Sequence, residues 1–316
     1  MAAHSRSAQN TSCPPGLGFS GARGLASPCE PLRADLFERV GVEVYVKRDD
    51  LLSPHLSGNK ARKLLHQLPL LKGQGTGATF GGASSTHLHA FALAGALEGF
   101  RTIGFVRQEA SEPEGLLLQQ ARALGREIVC LGRDPYRRRH EQRFHGALQD
   151  RFGPFHLIPE GSTNALGIPG IAELVQELPD ASDVICCPFE TGGTAIGLLK
   201  GLQATQRTSE LLVFSTLPPA GYAEATLRSL AQGHEVAWSG VRVVEDYSFG
   251  GFGKVSLELW QFAANFQRQF GFALDPVYNA KMAYGLWDLI RQGRFQRGTR
   301  ILMYHTGGIP DLGLFD

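Results

Sequence analysis

Lys60 and Lys63, three residues apart in Ser57-Gly58-Asn59-Lys60-Ala61-Arg62-Lys63, are spaced to act on one ligand. On a helix that spacing puts both amines on one face. A lysine that is partly desolvated loses basicity and can form a Schiff base with an aldehyde, while its neighbour meets an anionic group of the same molecule. Two solvated lysines on an amphipathic helix would show the same spacing, so other stretches must decide. Thr191-Gly192-Gly193-Thr194 follows an apolar run and precedes a helical one. Backbone N–H groups of such a loop, at a helix N-terminus, cradle phosphate. The stretch has neither the Gly-Lys-Ser/Thr ending of a P-loop nor the spaced glycines of a dinucleotide fingerprint, so the phosphate expected is a monoester. Glu190 beside it must then point away. In Gly81-Gly82-Ala83-Ser84-Ser85-Thr86-His87 the hydroxyls stand at a helix start, where they either cap the helix or help to dock a carboxylate. His87 and His89 do not share a helix face, which argues against a metal pair, and no metal is expected. Tyr278, at the entrance of a later helix, is either core or the cover of a flat ring. Asn279 and Thr306 are neutral hydrogen-bonding groups in positions that caps and turns also favour.

The elements that must hold these residues read as an α/β protein. Val42, Val44 and Val46 alternate as in a strand, Ser57-Gly58-Asn59 reads as a turn, and residues 61–68 as a short helix stopped by Pro69. Lys60 then stands at the mouth of a strand-turn-helix. Strands are expected at 79–80, 102–106, 127–131 and 155–158, with helices at 87–97, 115–124 and 135–149. The rhythm resumes with strands at 183–187, 211–216 and 300–304. Such alternation is that of βαβ units and a largely parallel, doubly wound sheet. No repeat or linker divides the chain, so any second domain is expected to be inserted, not appended.

Composition excludes several classes. The chain has 316 residues, 43% of them hydrophobic, with 31 basic against 30 acidic side chains. That balance leaves no net field to draw in nucleic acid or an anionic membrane, and no apolar run reaches membrane-spanning length. The run 133–144 holds five arginines but no aromatic stacking platform, and reads as a solvated helix face. Five cysteines, odd in number and without metal-ligand spacing, suit a reducing compartment such as the cytoplasm. The first 26 residues lack acids and periodicity, as disordered ends do; a weak transit peptide would share that composition.

Six stretches together carry a resemblance: Lys60 in its Ser-Gly-Asn-Lys motif, Gly81 to His87, Pro159-Glu160-Gly161-Ser162-Thr163-Asn164, Thr191 to Thr194, Asp275-Pro276-Val277-Tyr278-Asn279-Ala280-Lys281, and His305-Thr306-Gly307-Gly308. Their order resembles that of the 1-aminocyclopropane-1-carboxylate deaminase / D-cysteine desulfhydrase family. The resemblance implies two doubly wound parallel-sheet domains of the tryptophan-synthase-β kind (fold type II) around pyridoxal 5'-phosphate. A large domain of residues 25–62 and 160–316 would carry a small inserted domain, 63–159, with residues 1–24 as a disordered end. It also implies a homodimer. By position, Lys60 is similar to the Schiff-base lysine, and Lys63 with Thr191, Gly192, Gly193 and Thr194 to the phosphate site. Tyr278 resembles the tyrosine over the pyridine ring, with Asn279 and Thr306 near the ring nitrogen. Ser84, Ser85, Thr86 and His87 match the substrate-carboxylate region, and Ser85 and Tyr278 join Lys60 as catalytic candidates.

Three departures bear on the reaction. Thr86 replaces an asparagine that bonds the ring hydroxyl. Asn279 stands where the deaminases have glutamate and the desulfhydrases threonine. Phe252 replaces a tyrosine and loses its hydroxyl. Opening a cyclopropane amino acid, which has no α-proton, needs a nucleophile or a base acting on the ring. Removing an α-proton and expelling a β-group needs less. The expected activity is therefore α,β-elimination from D-cysteine or a related amino acid, with Lys60 taking the α-proton, to give a keto acid and ammonia. The alternatives are a 1-aminocyclopropane-1-carboxylate deaminase, a cofactor-binding protein with little turnover, and a phosphate-ligand α/β protein without pyridoxal phosphate.

Overall fold

Apolar runs with period-two alternation become strands whose neighbouring side chains enter opposite cores. The computed structural model describes residues 26–307 apart from residues 54, 55, 57, 110 and 181. The expectations for residues 1–24, Ser57 and Gly308 lie outside the described residues. The chain opens with β1 (Cys29–Leu32), α1 (Asp35–Val40), β2 (Glu43–Arg48), α2 (Gly58–Leu65) and α3 (Leu68–Gln74). Next come β3 (Thr76–Gly82), α4 (Thr86–Glu98), β4 (Arg101–Arg107), α5 (Leu116–Ala123) and β5 (Glu127–Leu131). They are followed by α6 (Arg133–Arg137), α7 (Gln142–Phe152), β6 (His156–Ile158) and α8 (Gly167–Ala172). The rest comprises β7 (Val184–Phe189), α9 (Gly193–Ala204), β8 (Glu210–Ser215), α10 (Tyr222–Gly233), β9 (Val241–Val244), α11 (Leu257–Phe270), α12 (Asn279–Arg291) and β10 (Arg300–His305).

A four-stranded sheet runs β5-β4-β3-β6, parallel throughout. A six-stranded sheet runs β1-β2-β10-β7-β8-β9. Its pairs are parallel except β1 with β2, where the register Cys29 to Lys47 is antiparallel. This edge is the antiparallel part of the largely parallel sheet, because a connection as short as α1 returns the chain beside itself in the opposite sense. Both faces of the larger sheet are covered. Val184, Cys186, Leu212, Phe214, Ile301 and Met303 pack on the side of α11 and α12. Their neighbours Ile185, Cys187, Leu211, Val213, Leu302 and Tyr304 pack on the side of α9 and α10. Continuous apolar strands are what a sheet buried on both faces requires. Among the described residues no helix is long and apolar enough to cross a membrane.

Two expected helices differ. The one foreseen at 135–149 is broken: α6 ends at Arg137 and α7 begins at Gln142. The one foreseen to end at Pro69 stops at Leu65, and Pro69 sits in the first turn of α3. A proline lacks only a donor that the first helical turn leaves unused, so Pro69 opens α3 and is not what ends α2.

α2 is held from several sides. Ala61 and Leu64 join the apolar cluster of Leu68, Phe91 and Ile158 beneath the smaller sheet. At its start Gly58 has φ +75°, and a Cβ there would lie 2.4 Å from the Thr306 carbonyl oxygen, to which Asn59 N donates at 2.9 Å. Across it lies α8, where a Cβ on Gly170 would stand 2.1 Å from the Arg62 carbonyl oxygen. Only glycine permits either backbone approach. Arg62, 5% exposed, makes two forks: to Asp49 at 2.6 and 2.9 Å, and to Glu177 at 2.6 and 2.9 Å. Tyr304 and Ser27 donate to Asp49, each at 2.6 Å, and Lys47 donates to Glu177 at 2.6 Å. Two cations thus face two carboxylates, and the buried charges balance.

Candidate active site

Helix α2, the start of α9 and the ends of β7 and β10 converge on one cleft. Lys60, Lys63, Thr191, Gly192, Thr194, Tyr278 and Thr306 line it, together with Asn59, Pro188 and Glu190. The helical spacing foreseen for Lys60 and Lys63 places both there. Lys63 is 1% exposed and donates to the Gly161 carbonyl oxygen at 3.2 Å. Burial, and then the charge of Lys60, push its amine down to about 7. An anion bound beside it would restore its charge.

The cradle is built from glycine turns and cross-linked hydroxyls. Gly192, in a left-handed conformation, caps α9, and Gly193 is its first residue, buried against Thr163. Thr191 Oγ1 lies 2.7 Å from Thr163 Oγ1, and Asn59 Nδ2 donates to Thr194 Oγ1 at 2.9 Å. Free N–H groups of the first turn, two hydroxyls and a buried amine form a donor set that suits a phosphate monoester.

Glu190 does not point away from the cleft, as the sequence reading required. Its carboxylate turns in, 3.2 Å from Lys60 Nζ, and lines the cleft together with Tyr278. The cause is local: a cation and a phenol inside the cleft offer the carboxylate partners. Burial alone would raise the Glu190 carboxyl, but Lys60, the Tyr278 hydroxyl and Lys63 bring it below its ordinary value. Conversely, burial and the Glu190 charge push the Tyr278 phenol far up. At neutral pH Glu190 is an anion and Tyr278 a hydrogen-bond donor.

Asn279 is buried and does not line the cleft. Its Nδ2 donates to the Gly307 carbonyl oxygen at 2.7 Å and to Asp275, while its Oδ1 accepts from Thr306 N at 3.2 Å and Thr306 Oγ1 at 3.4 Å. It therefore holds Thr306, which does face the cleft. Phe252 stacks at an angle near Tyr278, ring centroids 5.9 Å apart, and is 49% exposed. Its loop is tied down by Lys281, whose Nζ donates to the Ser248 and Gly251 carbonyl oxygens, each at 2.8 Å.

The hydroxyls at the start of α4 are not brought into the cleft lining. Ser84 is exposed and Thr86 half-buried. Ser85 caps the helix, accepting from Leu88 N at 3.3 Å, so the capping reading is the one its bonds satisfy. His87 is buried, with Nε2 2.9 Å from Thr79 Oγ1. Because that hydroxyl donates to the Ile158 carbonyl oxygen at 2.8 Å, it accepts from His87, which leaves Nδ1 a bare acceptor with no partner. Burial, followed by the charge of Lys60, pushes the ring down to about 3, so His87 is neutral and no cation for a carboxylate. Sequence reasoning gave no role to Asn59 and Thr163, although both lie in stretches that carried the resemblance. Asn59, next to Lys60, was within reach of a helix-start argument; Thr163 reaches the cradle only through the fold.

Residues 25–307 match the model of the family described as pyridoxal-phosphate dependent enzymes. The paired lysines and phosphate cradle agree with that description, so the class is a pyridoxal-phosphate-dependent enzyme of fold type II. The chain is 33% identical, over 89% of its length and 92% of the relative's, to a Thermotoga maritima protein provisionally named 1-aminocyclopropane-1-carboxylate deaminase. It is 29% identical to the D-cysteine desulfhydrase of Serratia proteamaculans, over 92% of this chain and 93% of that one. A crystal structure of an ACC deaminase homologue superposes with a TM-score of 0.76 at 29% identity, covering 90% of each chain. The chain belongs to the 1-aminocyclopropane-1-carboxylate deaminase / D-cysteine desulfhydrase family.

Proposed function

We propose that this lyase carries out α,β-elimination on a small β-substituted amino acid, D-cysteine or a close analogue. With D-cysteine and water the products are pyruvate, ammonia and hydrogen sulfide. The observation that carries this reading is that Tyr278 and Glu190 line one cleft with Lys60, whose Nζ lies 3.2 Å from the Glu190 carboxylate. A buried phenol facing a carboxylate keeps its proton, so it offers no phenolate to open a cyclopropane ring. An amine suffices to take an α-proton, and Lys60 Nζ is an amine at the cleft mouth.

Pyridoxal phosphate, when bound, supplies the aldehyde that amines join and a ring that draws electrons from Cα. Lys63, the first turn of α9, Thr191, Gly192, Gly193 and Thr194 are assigned to its phosphate. The Tyr278 ring covers a flat face, and Thr306, fixed by Asn279, offers a neutral hydroxyl. Lys60 Nζ receives the α-proton, which forms an N–H bond as the C–H bond breaks. Ser84, Ser85, Thr86 and His87, which stand outside the cleft lining with Ser85 capping α4, are assigned to the substrate side of the site at the start of that helix. Phe252 is assigned to the substrate side through its ring contact with Tyr278, centroids 5.9 Å apart. We assign residues 63–159 as the inserted domain, and the protein as a cytoplasmic homodimer that light scattering would reveal at twice the chain mass.

The test is absorbance of the purified, pyridoxal-phosphate-loaded protein before and after D-cysteine, L-cysteine, D-serine and 1-aminocyclopropane-1-carboxylate, with keto acid and ammonia assays. Pyruvate from D-cysteine, and loss of both the lysine-linked absorbance and turnover in Lys60→Ala, are expected. A keto acid from the cyclopropane substrate alone would overturn the elimination reading, and full absorbance in Lys60→Ala would overturn the role of Lys60.

A further inference from the structure

We propose that Glu190 is the counter-ion of Lys60, a positioning residue that opposes the attachment of an aldehyde to this lysine and assists the removal of a proton from Cα. The proposal rests on the reading of Lys60 given above. Glu190 Oε2 lies 3.2 Å from Lys60 Nζ, with side chains 31% and 11% exposed, so the pair is only partly screened by water. The same lysine donates to Asn59 Oδ1 at 3.3 Å, which fixes its ammonium end between the two oxygens.

Glu190 is itself fixed. It is the first residue after β7 and immediately precedes Thr191 of the cradle. Tyr278 lines the same cleft. It enters α12 on a turn in which Asp275 Oδ1 accepts from Tyr278 N at 2.7 Å. The carboxylate cannot swing clear without breaking its ion pair with Lys60.

Two consequences of opposite sign follow. An amine must be neutral to attack an aldehyde, and a carboxylate beside it favours the ammonium form. Glu190 therefore slows attachment, and its charge also opposes a phosphate entering the adjacent cradle. During turnover the amine must instead accept the proton of substrate Cα. The C–H bond breaks, an N–H bond forms, and the new ammonium is stabilised by Glu190. A residue that merely shaped the cleft would move both steps the same way, or neither.

The experiment uses the full chain and the variants Glu190→Gln and Glu190→Asp, each stripped of cofactor and checked for folding by circular dichroism. The growth of lysine-linked absorbance is followed with pyridoxal phosphate, and again with pyridoxal, which lacks the phosphate. Separately, exchange of the α-proton of D-alanine, which has no leaving group, is followed by NMR in heavy water with the reloaded proteins. Glu190→Gln, which removes the charge 3.2 Å from Lys60 Nζ, is expected to accelerate attachment of pyridoxal severalfold and to slow α-exchange. Glu190→Asp is expected to restore both toward the parent. Unchanged rates in a folded Glu190→Gln, or two rates moving together, would overturn the proposal. Lys60→Ala separates the two readings: if it abolishes attachment while Glu190→Gln behaves as the parent, only the counter-ion role fails. Should Glu190→Gln fail to fold, Glu190→Ser decides: faster attachment with slower α-exchange upholds the role, and unchanged or parallel rates reject it.

Discussion

Lys63 couples ligand binding to protons. Its folded-state amine, pushed down to about 7 from 10.5 by burial and by Lys60, binds fewer protons than the unfolded chain between those values. The stability of the ligand-free protein therefore rises with pH across that window, as the cost of a buried ammonium is relieved. An anion in the cradle has the opposite interest, because it favours the charged amine. Sulfate, which does not titrate there, is expected to bind with uptake of a proton above pH 7 and about tenfold more weakly at pH 9 than at pH 7. Calorimetry in buffers of different ionisation enthalpy measures the uptake, and Lys63→Met should remove both uptake and slope. The pairing of Lys60 with Lys63 was legible, since three residues of helix fix two side chains on one face. The direction of Glu190 was not, because a side chain at the end of a strand turns toward whatever partner the fold brings, here Lys60 and Tyr278 from distant parts of the chain. Asn279 was legible as neutral, but its saturation by Asp275, Thr306 and Gly307 was not.

Helix α2 carries both lysines on one side, and its setting depends on Arg62 on the other. The two carboxylates that Arg62 grips lie 13 and 115 residues away in sequence. No spacing rule reveals a pair of that kind. Removing one member of a buried, balanced cluster strands the rest, so Arg62→Met is expected to destabilise the protein by roughly 3–5 kcal/mol, read from urea unfolding. The close approach of Gly170 to the Arg62 carbonyl means that α2 cannot slide to compensate. Strands were the best legible elements, because β7, β8 and β10 are apolar on both faces and bounded by turns. The break between α6 and α7 was hidden in a polar stretch, 138–141, where neither period speaks for or against a helix.

For the whole molecule, the alternation of strands and helices sufficed for two wound sheets, and a near-zero net charge agreed with a small-molecule site between secondary-structure ends. The antiparallel edge β1 escaped notice because four residues carry too little pattern to orient a strand. Its placement is set by pairing with β2, a tertiary event. The alternation that builds the larger sheet also has a bearing on reactivity. Cys186 and Cys187, though adjacent, face opposite cores in the strand that ends at the cleft, both 0% exposed, and burial pushes the Cys187 thiol up to about 12. Thiolate is the reactive form, so neither is available to an alkylating reagent while the sheet is closed. Among the cysteines of the described residues, exposed Cys130 is expected to be modified first, as followed by mass spectrometry. Modification of the central pair then keeps time for opening of the sheet itself, a clock that runs inside the protein and stops when a ligand secures the end of β7.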